Sequence, residues 1–329
     1  MITVEYNNKK YLVNNNDSVL KTLLKNESFI PYSCQNGICQ SCIMKVVEGN
    51  IPKESQKGLS ENQIEENNFL PCICKPKENI KIDSTSSHSK IYDAEIKNII
   101  KKTEDIIILT ITCADPLNYK PGQFINLIND KNISRSYSLA SHPEVSTDLE
   151  LHIKLCSHGI MTNWIFNELK ITDKLKIAGP NGYCYYTQKC KQKPLLLISV
   201  GTGLSPILGI LKEALFQKHE NEIHLIHGSY RSSGLYLFEE IKDIQKKNNH
   251  LTFYPCAIEI DDHNQEVQKE SIQTLIENKF PDLSNWEIFI CGSEEFVKKM
   301  EQQCFLQDAE LDSIHSDAFV ENKKRDSDF

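Results

Sequence analysis

Cys34-Gln35-Asn36-Gly37-Ile38-Cys39-Gln40-Ser41-Cys42, answered by Cys72 further along, is the stretch on which the reading of the chain turns. A C-x₄-C-x₂-C loop with a fourth, separate cysteine is a spacing that holds a 2Fe-2S cluster. Two irons and two bridging sulfides need four thiolates, two per iron. One tight loop grips most of the cluster and a second segment closes the other side. Gly37 suits such a loop, because backbone N–H groups must turn toward the sulfurs and glycine permits the dihedrals this requires. Zinc is the competing reading, but a ribbon wants two C-x₂-C pairs, and Cys72-Ile73-Cys74 is one residue short. Cys74 competes with Cys72 as fourth ligand. Two residues apart on a strand they would share a side yet lie about 6–7 Å apart along it, and Cys72 is taken.

Length sets the frame around that loop: 329 residues suggest two or three domains. Hydrophobic residues make up 40% and charged residues 25%, as in ordinary globular chains. No apolar run approaches the ~18 residues of a membrane span, and no basic-then-apolar leader is visible. No membrane insertion and a cytoplasmic location are therefore expected. Beyond the candidate ligands, Cys74, Cys113, Cys156, Cys184, Cys190, Cys256, Cys291 and Cys304 are scattered without a framework, which points to reduced thiols. A net charge of −8 argues against a nucleic-acid groove. Residues 1–88 hold ten Lys and ten Asp plus Glu, so no strong overall field steers that part toward a partner.

Alternating residues 2–6 and 11–14 around Asn7-Asn8 predict a hairpin, followed by a short helix to about Lys25 capped by Asp17 or Ser18. Strands are expected near 42–47 and 79–83, with a short helix or loop over 58–67. The polar run Asp83–Ser89 reads as a linker. Six β-branched runs follow, at 91–100, 105–113, 123–128, 134–140, 149–155 and 174–178, predicting an antiparallel barrel or sandwich with one helix at 160–169. From 195 onward the period changes. Strands at 195–199, 222–227, 250–257 and 286–291 alternate with helices at 206–217, 235–247, 267–278 and 294–305, which predicts a doubly wound parallel sheet. Domain bounds are set at 1–88, 89–190 and 191–329.

Ile30-Pro31-Tyr32-Ser33-Cys34 through Cys42, Val47-Glu48-Gly49-Asn50 and Leu70-Pro71-Cys72 resemble the plant-type ferredoxins fused to oxygenase reductases. The departure is Gln40, where that family usually has glycine. Lys120-Pro121-Gly122-Gln123-Phe124, Arg135-Ser136-Tyr137-Ser138, Gly159-Ile160-Met161-Thr162 and Gly179-Pro180-Asn181-Gly182 resemble the flavin domain of the ferredoxin–NADP reductase superfamily. The resemblance implies FAD, with Arg135 on a flavin phosphate, Tyr137 against the ring and Ser138 on the hydride-accepting nitrogen. Gly159, Met161 and Thr162 would place backbone N–H groups and a hydroxyl on the pyrophosphate at a helix N-terminus. His158 stands where many relatives have another glycine.

Gly201-Thr202-Gly203-Leu204-Ser205-Pro206 resembles the same superfamily's nucleotide turn, with Val200 in place of its first glycine. Cys291-Gly292-Ser293 resembles its C-G-P segment, whose thiol lies near the transferring nicotinamide carbon, and Ser293 replaces the proline. His315-Ser316-Asp317-Ala318-Phe319 resembles its closing segment, in which an aromatic shields the flavin, although Phe319 suits a core plug equally. After the second strand, Arg231 with Ser232 and Ser233 would accept a 2′-phosphate, while no acid follows at once to bind a ribose hydroxyl. The choice between NADH and NADPH leans toward NADH from relatives of this build.

The resemblance implies a three-domain iron–sulfur flavoprotein reductase, with a β-grasp-like ferredoxin, a flavin barrel and a doubly wound nicotinamide domain, and a monomer is expected. Electrons would pass from NAD(P)H through FAD and the cluster to an electron-accepting protein such as an oxygenase. A CDP-6-deoxyglucoseen (deoxysugar dehydrase) reductase is the alternative, and a redox-sensing or carrier module is a third reading.

Overall fold

Asn7 and Asn8, with φ of 51° and 61°, turn β1 (Ile2–Tyr6) back onto β2 (Lys9–Val13). A two-residue hairpin of this hand needs positive φ at both positions, which asparagine tolerates. The chain is described here from a computed structural model, which covers all residues except 15, 27–29, 31, 33, 39, 60, 85–90, 132, 262–263 and 321–329. Ser18 caps α1 (Val19–Lys25), its hydroxyl accepting from Lys21 N at 3.2 Å. β3 (Met44–Glu48), α2 (Glu61–Glu65), β4 (Asn68–Phe69) and β5 (Ile80–Ser84) complete a five-stranded sheet in the order β2-β1-β5-β3-β4. β5 runs parallel to β1 and antiparallel to β3, so the sheet is mixed. Val4, Leu20, Leu23, Met44, Phe69 and Leu70 are buried between sheet and α1. Asp83 and Ser84 belong to β5, because they pair with Lys45 and Met44, so the strand runs into the expected linker. The rest of that linker, Thr85–Ser89, lies outside the described residues.

The second sheet takes β6 (Ile91–Lys101), β7 (Ile106–Cys113), β8 (Phe124–Ile128), β9 (Ser134–Ser138), β10 (Leu149–Lys154) and β11 (Lys174–Asn181) in the order β10-β7-β6-β11-β8-β9. Every pairing is antiparallel. A bridge between Leu139 and Leu151 joins the two edge strands and closes the sheet into a barrel. Leu149, Leu151 and Ile153 alternate inward from β10, and Met161 and Ile165 of α3 (Ile160–Asn167) pack on the same core.

The third sheet is parallel throughout: β15-β14-β13-β12-β16-β17. Its elements are β12 (Leu195–Val200), α4 (Leu204–Phe216), β13 (Ile223–Arg231), α5 (Phe238–Lys247), β14 (Leu251–Glu259), β15 (Gln268–Lys269), α6 (Ile272–Lys279), β16 (Glu287–Ser293), α7 (Glu294–Leu306) and β17 (Ile314–Phe319). Leu195 and Leu197 of β12 enter one core, Leu196 and Ile198 the other, as a strand covered on both faces requires. Two features differ from the sequence pattern. The helix expected from 267 begins at Ile272, capped by Ser271, because Gln268–Lys269 pairs with β14 as an edge strand. Residues 314–319 form a strand beside β16, which their sequence does not signal by alternation. The chain leaves β12 first toward β13 and later toward β16, so a switch-point crevice opens at the carboxyl ends of these strands. Among the described residues, no helix is long and apolar enough to cross a membrane.

Candidate functional site

Three of the four expected cluster ligands come together, while Cys39 lies outside the described residues. Cys34 and Cys42 are buried and Cys72 is half-buried. Asn36 N donates to Cys34 Sγ at 3.4 Å. A hydrogen bond with Cys42, helped by the Gly37 backbone, lowers the Cys72 thiol below its ordinary value against the opposing effect of burial. Gly37 has φ of +78°, a backbone conformation that favours glycine, and a Cβ there would stand 2.6 Å from Ile73 Cδ1, so that side chain would have to turn aside. Cys74 instead belongs to the hydrophobic core beside Ser55, where burial pushes its thiol up to about 12. Convergent thiols with backbone donors turned toward them fit an iron–sulfur group, which takes thiolate ligands.

β9 carries Arg135–Ser138 along the barrel edge. Ser138 Oγ donates to Asp317 Oδ2 at 2.9 Å, and its carbonyl accepts from Ser205 Oγ at 2.8 Å, so strand β9 touches both β17 and α4. Burial lifts the Asp317 carboxyl to about 6, with the Ser138 hydrogen bond working against the rise. Burial also raises the Tyr137 phenol, and nearby Arg135 offsets part of this. Arg135 Nη1 donates to the Ser134 carbonyl at 2.8 Å. Ser134 Oγ and Asn126 Nδ2 are buried polar atoms without a hydrogen-bond partner on β9 and β8, as expected of strands shaped for a polar ligand.

Gly159 caps α3, and a Cβ there would meet Thr162 Oγ1 at 2.6 Å. The Thr162 hydroxyl is already used in its own turn, accepting from Cys156 N at 3.1 Å and reaching the Gly159 carbonyl at 3.2 Å. Met161 is buried in the barrel core. What this turn offers a pyrophosphate is therefore backbone rather than these two side chains.

Gly201–Gly203 leads from β12 into α4, with Thr202 between the glycines. Pro206 sits in the first turn of α4, where a missing N–H leaves no intrahelical bond unmade. A Cβ on Gly203 would lie 2.2 Å from the Cys291 carbonyl oxygen, so the turn packs directly on the Cys291–Gly292 backbone. Cys291 is fully buried, and burial keeps its thiol far above the ordinary value; its sulfur lies 3.9 Å from that of Cys184. It is a neutral thiol, not a thiolate nucleophile. Register places Asp317 beside Cys291 and Phe319 beside Ser293. Arg231 ends β13, its Nε 3.4 Å from Glu259 Oε2. Beside it, Ser232 Oγ and Ser233 Oγ donate to Asp261 at 2.9 and 2.7 Å.

A cleft of about 410 Å³ opens where the three sheets meet, lined by Ile38 and Gln40 from the first, Phe124 and Cys184 from the second, and Asp317 and Ala318 from the third. That volume falls within the range of small-molecule sites. Asp317, Cys184, Glu259 and Asp261 escaped sequence reasoning, since strand register brings Asp317 and Glu259 into place, Asp261 follows β14, and tertiary packing sets Cys184 against Cys291. A separate group, Cys190, Glu287 and His315, also gathers metal-type atoms within 4.8 Å. There His315 Nε2 at 2.7 Å and Lys193 Nζ at 3.7 Å already partner the Glu287 carboxylate, so it is an ion-pair group.

Three family models match in succession: a 2Fe-2S iron-sulfur cluster binding domain over residues 2–77, an oxidoreductase FAD-binding domain over 93–186 and an oxidoreductase NAD-binding domain over 197–302. A CDP-6-deoxy-L-threo-D-glycero-4-hexulose-3-dehydrase reductase of Yersinia pseudotuberculosis is 27% identical over 93% of this chain and 94% of its own length. A ferredoxin–NAD(P)(+) reductase component of a naphthalene 1,2-dioxygenase system of Pseudomonas putida is 26% identical over 91% and 92%. The crystal structure of a cytochrome P450 reductase of Amycolatopsis has the same fold, with a TM-score of 0.74 at 23% identity, covering 98% of this chain and all of that one.

Proposed function

We propose that this chain, an NAD(P)H-dependent oxidoreductase with a 2Fe-2S domain, an FAD-binding domain and an NAD-binding domain in that order, delivers electrons from NADH to a separate acceptor protein. The observation that carries the reading is the cleft to which all three domains contribute. Cys34, Cys39, Cys42 and Cys72 would hold the cluster. Arg135, Tyr137, Ser138 and the backbone at Gly159–Thr162 would hold FAD, and Gly201–Gly203, Pro206, Cys291 and Gly292 the nucleotide. Bound flavin supplies the conversion of a two-electron hydride into single electrons. Asp317 and Ser138 provide a proton route beside that chemistry, because the carboxyl lines the cleft, changes charge near pH 6 and accepts from the Ser138 hydroxyl. Cys291 contributes bulk and a neutral surface where the GTG turn meets β16.

Nucleotide choice follows from groups already engaged. Arg231 faces Glu259, while Ser232 and Ser233 serve Asp261, whose carboxyl their hydrogen bonds hold at about 2. A 2′-phosphate would meet two carboxylates where it needs cations, and a ribose hydroxyl would meet acceptors. The acceptor is an oxygenase component in the first reading. The 27% identity to a dehydrase reductase supports a deoxysugar dehydrase as the second. One copy carries every candidate site, which supports a monomer, and no disulfide among the described cysteines supports a reducing, cytoplasmic setting. Stopped-flow reduction of the flavin by each nucleotide tests the reading. NADH should be preferred, and Glu259→Gln with Asp261→Asn should narrow the preference. A wild-type preference for NADPH, or no flavin reduction by either nucleotide, would sink it.

A further inference from the structure

The 2Fe-2S domain meets the flavin barrel through a set of side-chain hydrogen bonds to which the reading above gives no role. Ser41, fully buried and adjacent to Cys42, places its Oγ 3.0 Å from Ser136 Oγ on β9. Ser136 Oγ lies 2.9 Å from Asn126 Oδ1, an oxygen that only accepts, so Ser136 donates to Asn126 and accepts from Ser41. The relay therefore has one direction, from the cysteine loop into the barrel. A second link runs beside it. Gln63 Nε2 donates to Gln40 Oε1 at 3.1 Å and to Tyr183 OH at 2.8 Å, using both hydrogens of one amide. Gln40 Nε2 in turn donates to the Gly58 carbonyl at 2.8 Å. Gln40 has φ of 54°, the conformation glycine adopts most readily, so a side chain is kept here against a backbone cost. In return it ties the loop to Gln63 and, through Gln63, to the barrel.

We propose that Ser41, Gln40 and Gln63 are positioning residues for electron transfer between domains, holding the cysteine loop against the flavin strand through Ser136 and Tyr183. The proposal rests on the electron-transfer reading above. No bond is made or broken by these residues. One electron lost by the flavin is gained by the cluster, and their part is to keep the two sites docked while it passes. The bonded route from Cys42 through Ser41 to Ser136 and Tyr137 contains a single hydrogen bond. All of these side chains are neutral, so added salt does not loosen the docking as it would an ion pair.

The full-length holoprotein tests this with Ser41→Ala, Tyr183→Phe and the double variant. Loss of one such hydrogen bond should speed hydrogen exchange of interface amides at 40–43 and in β9 by about fivefold. In single-turnover stopped flow, flavin reduction by NADH should be unchanged, and the following cluster reduction should slow several-fold in the double variant at low and high salt alike. The cluster's EPR signal and midpoint potential should stay at wild-type values. Unchanged exchange would overturn the proposal, as would slowed transfer that is explained by a shifted potential. If Ser41→Ala loses the cluster, Tyr183→Phe decides alone. Should wild-type flavin fail to reduce the cluster at all, the electron-transfer reading falls, while the exchange data still show whether these residues dock the domains.

Discussion

Replacing Asp317 by Asn asks whether burial governs the site's acid. Its carboxyl rises from the ordinary 3.8 to about 6, which corresponds to about 3 kcal/mol. The sign follows from proton counts. Between those two values the native state holds the proton more tightly than the unfolded chain, so stability falls as pH rises through this window. The whole cost is present above pH 6, and about half of it at pH 5. Asn keeps an oxygen that can accept from Ser138 Oγ and carries no charge. Asp317→Asn should therefore stabilise the protein at pH 8 by up to about 3 kcal/mol, about 5–10 °C in Tm for a unit of this size. The gain at pH 5 should be about half of that. Thermal melting at both pH values, at fixed saturating FAD, measures it. The wild-type rate of NADH-driven ferricyanide reduction should also show an inflection near pH 6 that the variant lacks. A variant no more stable than wild type at pH 8, or equally stabilised at both pH values, would refute the reasoning.

Ser substitutions at Cys34, Cys39, Cys42 and Cys72 should each abolish the 2Fe-2S absorption and EPR signals, whereas Cys74→Ser should retain them; bleaching by Cys74→Ser alone would reverse the ligand assignment. Gly203→Ala drives a methyl to 2.2 Å from the Cys291 carbonyl, so the turn must shift, and NADH affinity measured by titration should fall by about tenfold or more. Arg135→Ala should weaken FAD retention in equilibrium dialysis by about tenfold or more, the value of a charge-assisted pair. A fragment starting at Ile91 should still pass electrons from NADH to ferricyanide but fail with a protein acceptor; equal rates with the protein acceptor would break the proposed order of carriers.

Much of the architecture is legible because local chemistry announces it. The Asn7-Asn8 turn, the Ser18 cap and the doubly buried β12 each follow from side chains acting on their own neighbourhood. Cysteine spacing and glycine turns mark the site for the same reason. What stays hidden is set by register between distant segments. Residues 314–319 carry no alternation, yet as β17 they bring Asp317 to Ser138, 179 positions away. Glu259 and Asp261 reach the nucleotide end of β13 only because β14 lies beside it in register, Arg231 opposite Glu259. Gln268–Lys269 is too short to announce itself as a strand and takes its state from the edge of β14. Gln40 shows the limit most plainly: the sequence marks it only as a departure from glycine, and the fold reveals the partner it reaches.

The barrel and the parallel sheet share one continuous core, in which Ile106, Ala140, Cys184 and Tyr186 pack with Leu195, Ile207, Leu208 and Leu211. The N-terminal sheet keeps a core of its own. For protein engineering the chain thus has one seam suited to recombination and one that resists it. Exchanging the N-terminal module between reductases needs only a matched polar contact at Ser41 and Gln63. A barrel grafted from elsewhere onto the parallel sheet would instead leave voids or clashes at these buried positions, each felt at the level of single methylene groups. Retargeting such a protein to a new acceptor is best attempted by shuffling ahead of Ile91.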